Sequence, residues 1–95
     1  MVVGVCEITL FMRENSSLKD KRRIIKGIIG RTRRNFEISI AETGDHDLLQ
    51  KGKIGFAITG NDNQVVNSVI DRVIDFIDGS HEAEVLESNF DIFHF

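Results

Sequence analysis

The sequence predicts an α+β fold in which two helices cover one face of a four-stranded antiparallel sheet. Three segments have apolar residues that alternate with a period of two, as is typical of strands, and a fourth, the last, alternates less cleanly. They are residues 2–12, 36–42, 53–60 and 82–93. Two other segments repeat apolar residues with a helical period, and they are residues 17–34 and 62–78. The predicted order of elements is therefore β-α-β-β-α-β.

The first strand is predicted over Val2–Met12, because its two faces differ in polarity. One face is nearly all apolar and consists of Val2, Gly4, Cys6, Ile8, Leu10 and Met12. The other face is mixed and consists of Val3, Val5, Glu7, Thr9 and Phe11. We expect the apolar face to be buried under the helices. Cys6 is the only cysteine, so no disulfide can form within the chain, and we interpret it as a small core residue.

The first helix is predicted to start at Ser17, because Asp20 follows three positions later in a pattern that resembles a capping box. Its apolar arc consists of Leu18, Ile24, Ile25, Ile28, Ile29 and Thr32. A second arc, about 120° wide at 3.6 residues per turn, faces away and is basic. It consists of Lys19, Arg22, Arg23, Lys26, Arg33 and Arg34. Gly27 and Gly30 lie on or beside this arc, where each costs about 1 kcal/mol relative to Ala.

Two more strands are predicted after this helix, over Phe36–Glu42 and Lys53–Gly60. The residues expected to face inward are Phe36, Ile38 and Ile40 in the first, and Ile54, Phe56 and Ile58 in the second. The outer face of the second carries only small residues, which are Gly55, Ala57 and Thr59. The irregular stretch Thr43–Gly52 connects the two strands.

A second helix is predicted to begin after Asn61 or Asp62, either of which can cap it, and to end before Gly79. Its apolar arc consists of Val65, Val66, Val69, Ile70, Val73, Phe76 and Ile77, and its outer arc carries Asp71, Asp75 and Asp78. The last strand is predicted over Glu82–Phe93. Its apolar members are Val85, Leu86, Phe90, Ile92 and Phe93.

Two right-handed β-α-β crossovers joined in this order favour the ferredoxin-like arrangement, with the first and third strands central. Residues 1–95 contain no long linker, so we expect one domain. No apolar run approaches the roughly 18 residues of a membrane span. The N-terminal segment lacks a basic region and contains Glu7, unlike a secretory signal. We therefore expect a cytoplasmic protein without membrane contact.

Three segments of the chain resemble the YlxP-like family, a group of small bacterial proteins known as a domain of unknown function. The segments are MVVGVCEITLFMRENSSLKDKRRIIKGI, FEISIAE and DLLQKGKIGFAITGND. The family shows an SLKEKR-like motif where this chain has SLKDKR, and often a DLWQ-like motif where this chain has DLLQ, with Leu49 in place of the aromatic residue. The resemblance implies a ferredoxin-like α+β fold. It also implies a link to translation, because such genes often lie among those for translation and ribosome-maturation factors, and it implies no catalytic residues.

Charge is divided unevenly along the chain. Residues 1–53 contain eleven basic and seven acidic residues, which give a net charge of +4. Residues 54–95 contain one basic and eight acidic residues, which give a net charge of −7, so the overall net charge is −3. Because surface fields act locally, the basic arc of the first helix remains a candidate contact for ribosomal RNA or the ribosome. We predict six nucleic-acid-binding residues: Lys19, Arg22, Arg23, Lys26, Arg33 and Arg34. The alternative is a solvated face, paired in part with the acids of the second helix or with another subunit.

A semi-apolar sheet face opposite the helices favours a homodimer, formed through this face or through strand edges. The alternative function is therefore a homodimeric protein-interaction or small-ligand-binding module without a nucleic-acid role. Base stacking on this face is disfavoured, because the third strand offers no aromatic residue there.

Enzymatic and metal-binding interpretations have weaker support. Glu42, Asp45, His46 and Asp47 supply metal-ligand types, but adjacent residues rarely all point at one ion. Arg13 and Asn61 are roughly placed as in acylphosphatase-type enzymes, but a glycine-rich phosphate loop is missing. We therefore predict a non-enzymatic protein with no cofactor and no metal.

Overall fold

The computed structural model describes residues 1–95 and confirms the predicted α+β fold and element order. The elements are β1 (Val2–Phe11), α1 (Leu18–Asn35), β2 (Ser39–Gly44), β3 (Lys51–Gly60), α2 (Asn63–Asp78) and β4 (Glu84–His94). The strands form one antiparallel sheet in the order β2-β3-β1-β4, so β1 and β3 are central as predicted. Neither helix combines the length and the apolar character needed to cross a membrane.

The hydrophobic core lies between the helices and one face of the sheet. The predicted apolar face of β1 is buried, and it pairs with the buried Ile54, Phe56 and Ile58 of β3. The helices contribute residues at helical spacing, namely Ile24, Ile25, Ile28 and Thr32 from α1 and Val66, Ile70, Val73 and Ile77 from α2. The alternation and the helical periods therefore identified most of the core correctly.

α2 lies very close to β1 at a glycine. A Cβ atom added to Gly4 would lie 2.6 Å from Val66 Cγ1 and 2.8 Å from Ile70 Cδ1. A Cβ atom on Gly60 would lie 2.9 Å from the other γ-methyl of Val66. Val66 therefore occupies space that both glycines leave free, and these positions fix how closely the helix approaches the sheet.

Asp62 caps the N-terminus of α2. It is one of the two residues predicted as the cap, the other being Asn61. Its Oδ1 accepts hydrogen bonds from the backbone N–H groups of Gln64, at 2.8 Å, and Val65, at 3.3 Å. These bonds satisfy backbone donors that have no partner within the helix.

Phe36 is not in a strand, contrary to the prediction, and β2 begins at Ser39. Phe36 is the C-cap of α1, where its N–H donates to the Thr32 carbonyl at 3.0 Å. Its ring packs edge-on against Phe76, with the ring centroids 5.5 Å apart. This aromatic contact between the helix ends accounts for the apolar residue that the alternation assigned to the strand.

The apolar arc of α2 is displaced around the helix relative to the prediction. Val65 is 57% exposed and Phe76 is also partly exposed, whereas Ile74, which was not predicted, packs against the core. The buried residues of α2 follow one stripe that faces the sheet, and Val65 lies to the side of it in the first turn. Which residues at the edge of an apolar arc are buried depends on the elements that pack beside the helix, and the helical period of the sequence does not show these elements.

Cys6 is buried at the centre of β1, with 4% of its surface exposed, as predicted for a core residue. Burial, and to a lesser extent the charge of Glu7, raises the pKa of the thiol from 9.0 to about 11. In the unfolded chain the thiol ionises at lower pH, so its ionisation favours unfolding. We expect the free energy of unfolding to fall between pH 9 and about 11 more steeply in the wild type than in Cys6→Ala, as measured by urea titration. Identical pH profiles for the two proteins would contradict this assignment.

Candidate nucleic-acid interface

All six predicted nucleic-acid-binding residues are exposed on α1. The chain forms four ion pairs, and Arg23 is the only one of the six residues that takes part in any of them. The other five have no carboxylate within 4.0 Å. One of those five, Arg33, donates to a backbone carbonyl of the sheet. We call the remaining four residues the basic face: Lys19, Arg22, Lys26 and Arg34. The structure thus leaves most of the predicted stripe without a partner.

The other two predicted residues make contacts within the protein. Arg23 Nη1 lies 3.8 Å from Glu82 Oε2, and Arg31, which was not predicted, approaches the second oxygen of Glu82 at 3.5 Å. Arg33 Nη2 donates to the carbonyl of Ile40 in β2 at 2.9 Å. Arg33 therefore ties the C-terminal turn of α1 to the edge of the sheet.

The acids of α2 do not neutralise the basic face. Asp71, Asp75 and Asp78 are exposed, and none forms an ion pair with α1. Asp78 instead accepts a weak hydrogen bond from the Val85 N–H at 3.4 Å. The acid that does reach α1 is Glu82, in the segment after α2. The alternative in which the α2 acids pair with the stripe is therefore not seen in the structure.

The N-terminal turn of α1 contains a buried lysine that was predicted in neither arc. Lys21 is 1% exposed, and its Nζ donates to the backbone carbonyl of Asp45 in the β2–β3 loop. Asp45 is the one non-glycine residue with a positive φ, at 57°, and its carbonyl also accepts the Leu48 N–H at 3.1 Å. On a helical wheel Lys21 lies within the apolar arc, which is the signal that could have identified it.

Further hydrogen bonds join the same two regions. Asn15 Nδ2 donates to the carbonyl of Leu49, and Gln50 Nε2 donates to the carbonyl of Arg13 at 3.0 Å. Asn15 Nδ2 also donates to the carbonyl of Ser17 at 2.9 Å, so this side chain bridges the SLKDKR and DLLQ segments, which begin 30 positions apart in the sequence. Leu49 itself is 43% exposed and does not take part through its side chain. These hydrogen bonds hold the start of α1 against the β2–β3 loop.

The Asp45-His46-Asp47 loop does not assemble a group of metal ligands. His46 Nε2 lies 3.9 Å from Glu42 Oε1, but nowhere in the chain do three or more side chains of His, Cys, Asp or Glu come together in a metal-binding arrangement. Asp45 contributes its backbone carbonyl, which holds Lys21.

Arg13 and Asn61 lie at opposite ends of the sheet. Arg13 follows β1 and Asn61 follows β3, and the antiparallel register pairs Val2 with Gly60 and Phe11 with Lys51. Ten-residue strands are about 30 Å long at 3.3 Å per residue. Arg13 donates to Glu84 at 3.2 Å instead. The acylphosphatase-type arrangement of these two residues is therefore absent.

The open face of the sheet forms a shallow groove of about 490 Å³. Its centre is lined by small residues, among them Ala41, Gly55 and Ala57. Thr43 lies over Gly55 and donates to the carboxylate of Glu7 at 2.8 Å. No aromatic side chain rises from the middle of β1 or β3 on this face, so it lacks a platform for stacking bases.

Comparisons with known proteins agree with the sequence motifs. Residues 3–90 match the family described as "Protein of unknown function (DUF503)". The chain is 31% identical over 83 residues to "Uncharacterized protein YlxP" of Bacillus subtilis (strain 168), covering 87% of this chain and 90% of that protein. Its fold is similar to that of "De novo designed protein Foldit4", with a TM-score of 0.54 and 14% sequence identity over 100% of this chain and 99% of that one. The chain therefore belongs to the DUF503 family, whose function is unknown, as the YlxP-like motifs predicted.

Proposed function

We propose that this protein is a non-enzymatic binding protein whose basic face contacts the phosphate backbone of folded RNA, with ribosomal RNA as the first candidate. The observation that carries the proposal is the absence of any carboxylate within 4.0 Å of Lys19, Arg22, Lys26 and Arg34. Exposed cations without local partners are the groups that displace counterions from a nucleic acid.

The spacing of the basic face suits several phosphates at once. With a rise of about 1.5 Å per residue, Lys19 and Lys26 lie about 10 Å apart along the helix axis, and Arg34 lies about 22 Å from Lys19. Arg22 follows Lys19 by three positions, and Lys26 follows Arg22 by four. These spacings place the three residues on one side of the helix. A run of cations of this length can follow a phosphate backbone.

Gly27 and Gly30 lie between the ends of the basic face. The only side-chain atoms within 4 Å of a Cβ added to either glycine belong to Arg31 and Arg34, whose guanidinium groups lie alongside. No other element of the fold requires these glycines. Their absent side chains leave the helix backbone accessible to a phosphate strand between the flanking cations.

The open face of the sheet supports recognition of the backbone rather than of bases. Sequence-specific RNA recognition by a sheet of this kind uses aromatic side chains in the middle of the central strands, whereas here those positions hold Val5, Glu7, Gly55 and Ala57, and Phe11 lies at the end of β1. We therefore expect weak dependence on RNA sequence and strong dependence on salt.

Charge reversal on the helix tests the proposal. The double variant Arg22→Glu with Lys26→Glu should bind a ribosomal RNA fragment at least about tenfold more weakly than the wild type at low salt, because two contacts become repulsive. The matched control is Lys51→Glu with Arg72→Glu, which changes two exposed, unpaired cations outside α1 and gives the same net charge. Fluorescence anisotropy with labelled RNA measures both.

The comparison of the two double variants separates a site from a general charge effect. If binding is lost only in the α1 variant, the basic face is the contact surface. Equal weakening in both variants would mean that net charge governs the affinity. Unchanged affinity in the α1 variant would remove α1 as the interface.

A further inference from the structure

The two edges of the sheet differ in how far the fold covers them. At the β2 edge, the strand has six residues, and Arg33 of α1 occupies the outward carbonyl of Ile40. At the β4 edge, the strand has eleven residues and nearly all are exposed. Long uncovered edges are rare in proteins that remain monomeric, because they pair readily with other strands.

The hydrogen-bonding pattern identifies which residues of β4 face outward. Met1 and Phe95 exchange both backbone hydrogen bonds, at 2.8 Å and 2.7 Å, so the odd-numbered pairs of β1 and β4 are the bonded ones. The Ile92 N–H accordingly turns away from β1 and donates to the Asp91 side chain at 2.8 Å. Alternation places the backbone groups of Ser88 and Phe90 at the same free edge.

The regular part of β4 is centred on Phe90. Residues 87–93 pair with β1 without interruption, and the register shifts only beyond Thr9. Phe90 is 51% exposed in the middle of this segment, with Leu86 and Phe93 also exposed on either side. A two-fold axis through Phe90 would therefore use the whole regular segment.

The charges of β4 are compatible with that axis. An antiparallel pair centred on Phe90 sets Glu87 opposite Phe93 of the partner subunit and Asp91 opposite Asn89 of the partner subunit. A two-fold axis at Asn89 would instead set Glu87 opposite Asp91 of the partner subunit. An axis at Asp91 would set Asp91 opposite Asp91 of the partner subunit, and like charges directly opposite each other are destabilising. The acidic residues thus disfavour the neighbouring registers.

We propose that β4 pairs with β4 of a second copy of this chain about a two-fold axis at Phe90, joining the two sheets into one. The outward backbone groups of Ser88, Phe90 and Ile92 supply the hydrogen bonds, with the Ile92 N–H exchanging the Asp91 side chain for a carbonyl of the partner subunit. The two Phe90 rings meet across the axis. The interface is isologous, so it closes as a dimer and does not propagate. It leaves the basic face of α1 uninvolved and does not depend on the proposed RNA contact.

Complementary charges at the axis provide the test. Phe90→Lys and Phe90→Glu should each give the chain mass of 10.8 kDa by light scattering, whereas the wild type gives twice that mass at micromolar concentrations. An equimolar mixture of the two variants should recover the doubled mass, because the introduced lysine and the introduced glutamate face each other only if the two-fold axis passes through this residue. Thr59→Lys on the open face is the control and should leave the dimer intact.

Cross-linking tests the register separately. Phe90→Cys should form an intermolecular disulfide on mild oxidation, because directly opposite residues have Cα atoms about 5.5 Å apart. Phe93→Cys should not, since it faces residue 87. A wild-type mass of 10.8 kDa across the concentration range would overturn the proposal, as would failure of the mixed variants to associate.

Discussion

Replacing Lys21 by alanine should lower the free energy of unfolding by about 3 kcal/mol, from lost packing and a lost hydrogen bond together. The side chain is 1% exposed, so its methylene groups are part of the core, and its Nζ donates to the Asp45 carbonyl. Gly52 packs against the Lys21 side chain, since a Cβ atom added to Gly52 would lie 3.5 Å from Lys21 Cε. Urea titration with linear extrapolation measures the loss.

Lys19→Ala is the matched control, because Lys19 is in the same turn of α1 but exposed and without an ion pair. We expect it to change stability by less than about 0.5 kcal/mol. Lys21→Met should fall between the two, since it keeps most of the volume and loses the donor. If Lys21→Ala and Lys19→Ala are equally stable, Lys21 does not anchor the loop.

Two glycine-to-alanine changes should shift stability in opposite directions. Gly4→Ala should destabilise the protein by about 2 kcal/mol, because the new methyl group meets the stiff, buried Val66 at 2.6 Å. Gly27→Ala should stabilise it by about 0.8 kcal/mol, because it removes a mid-helix glycine. Its only close neighbour there is the flexible end of Arg31, at 3.2 Å. Thermal and urea unfolding measure both changes.

The double variant Gly4→Ala with Val66→Ala distinguishes a steric clash from a change in backbone preference. If the clash is the cause, removing the γ-methyl groups of Val66 makes the two changes non-additive. Additive losses would assign the effect of Gly4→Ala to the strand backbone. A stabilising Gly4→Ala change would contradict the close approach of α2 to β1.

The fold could be predicted because local patterns and chain topology agree. Alternation in β1 and β3 and the helical periods identified the elements, and the order of elements favoured one sheet topology. Phe36 was assigned to the wrong element because its contact is with Phe76, which is 40 residues away in the sequence. Val65 was assigned to the core because periodicity does not show where an apolar arc ends.

The candidate site could be predicted only in outline. The sequence located the basic stripe on α1, but whether Asp71, Asp75 and Asp78 pair with it depends on how the helices are placed. Arg33 is exposed as predicted, but the helical wheel does not show that its guanidinium donates to the Ile40 carbonyl at the sheet edge. The wheel position of Lys21 indicated burial, but only the tertiary structure reveals the Asp45 carbonyl that accepts its hydrogen bond.

The salt dependence of RNA binding by the wild-type protein shows whether the basic face neutralises phosphates. If the four residues of the basic face each displace a phosphate counterion, the logarithm of the association constant should fall against the logarithm of salt concentration with a slope of about −3. The Arg22→Glu with Lys26→Glu variant should lower the magnitude of that slope by about 2. A wild-type slope near zero, or no binding to ribosomal RNA at about 50 mM salt, would contradict the account.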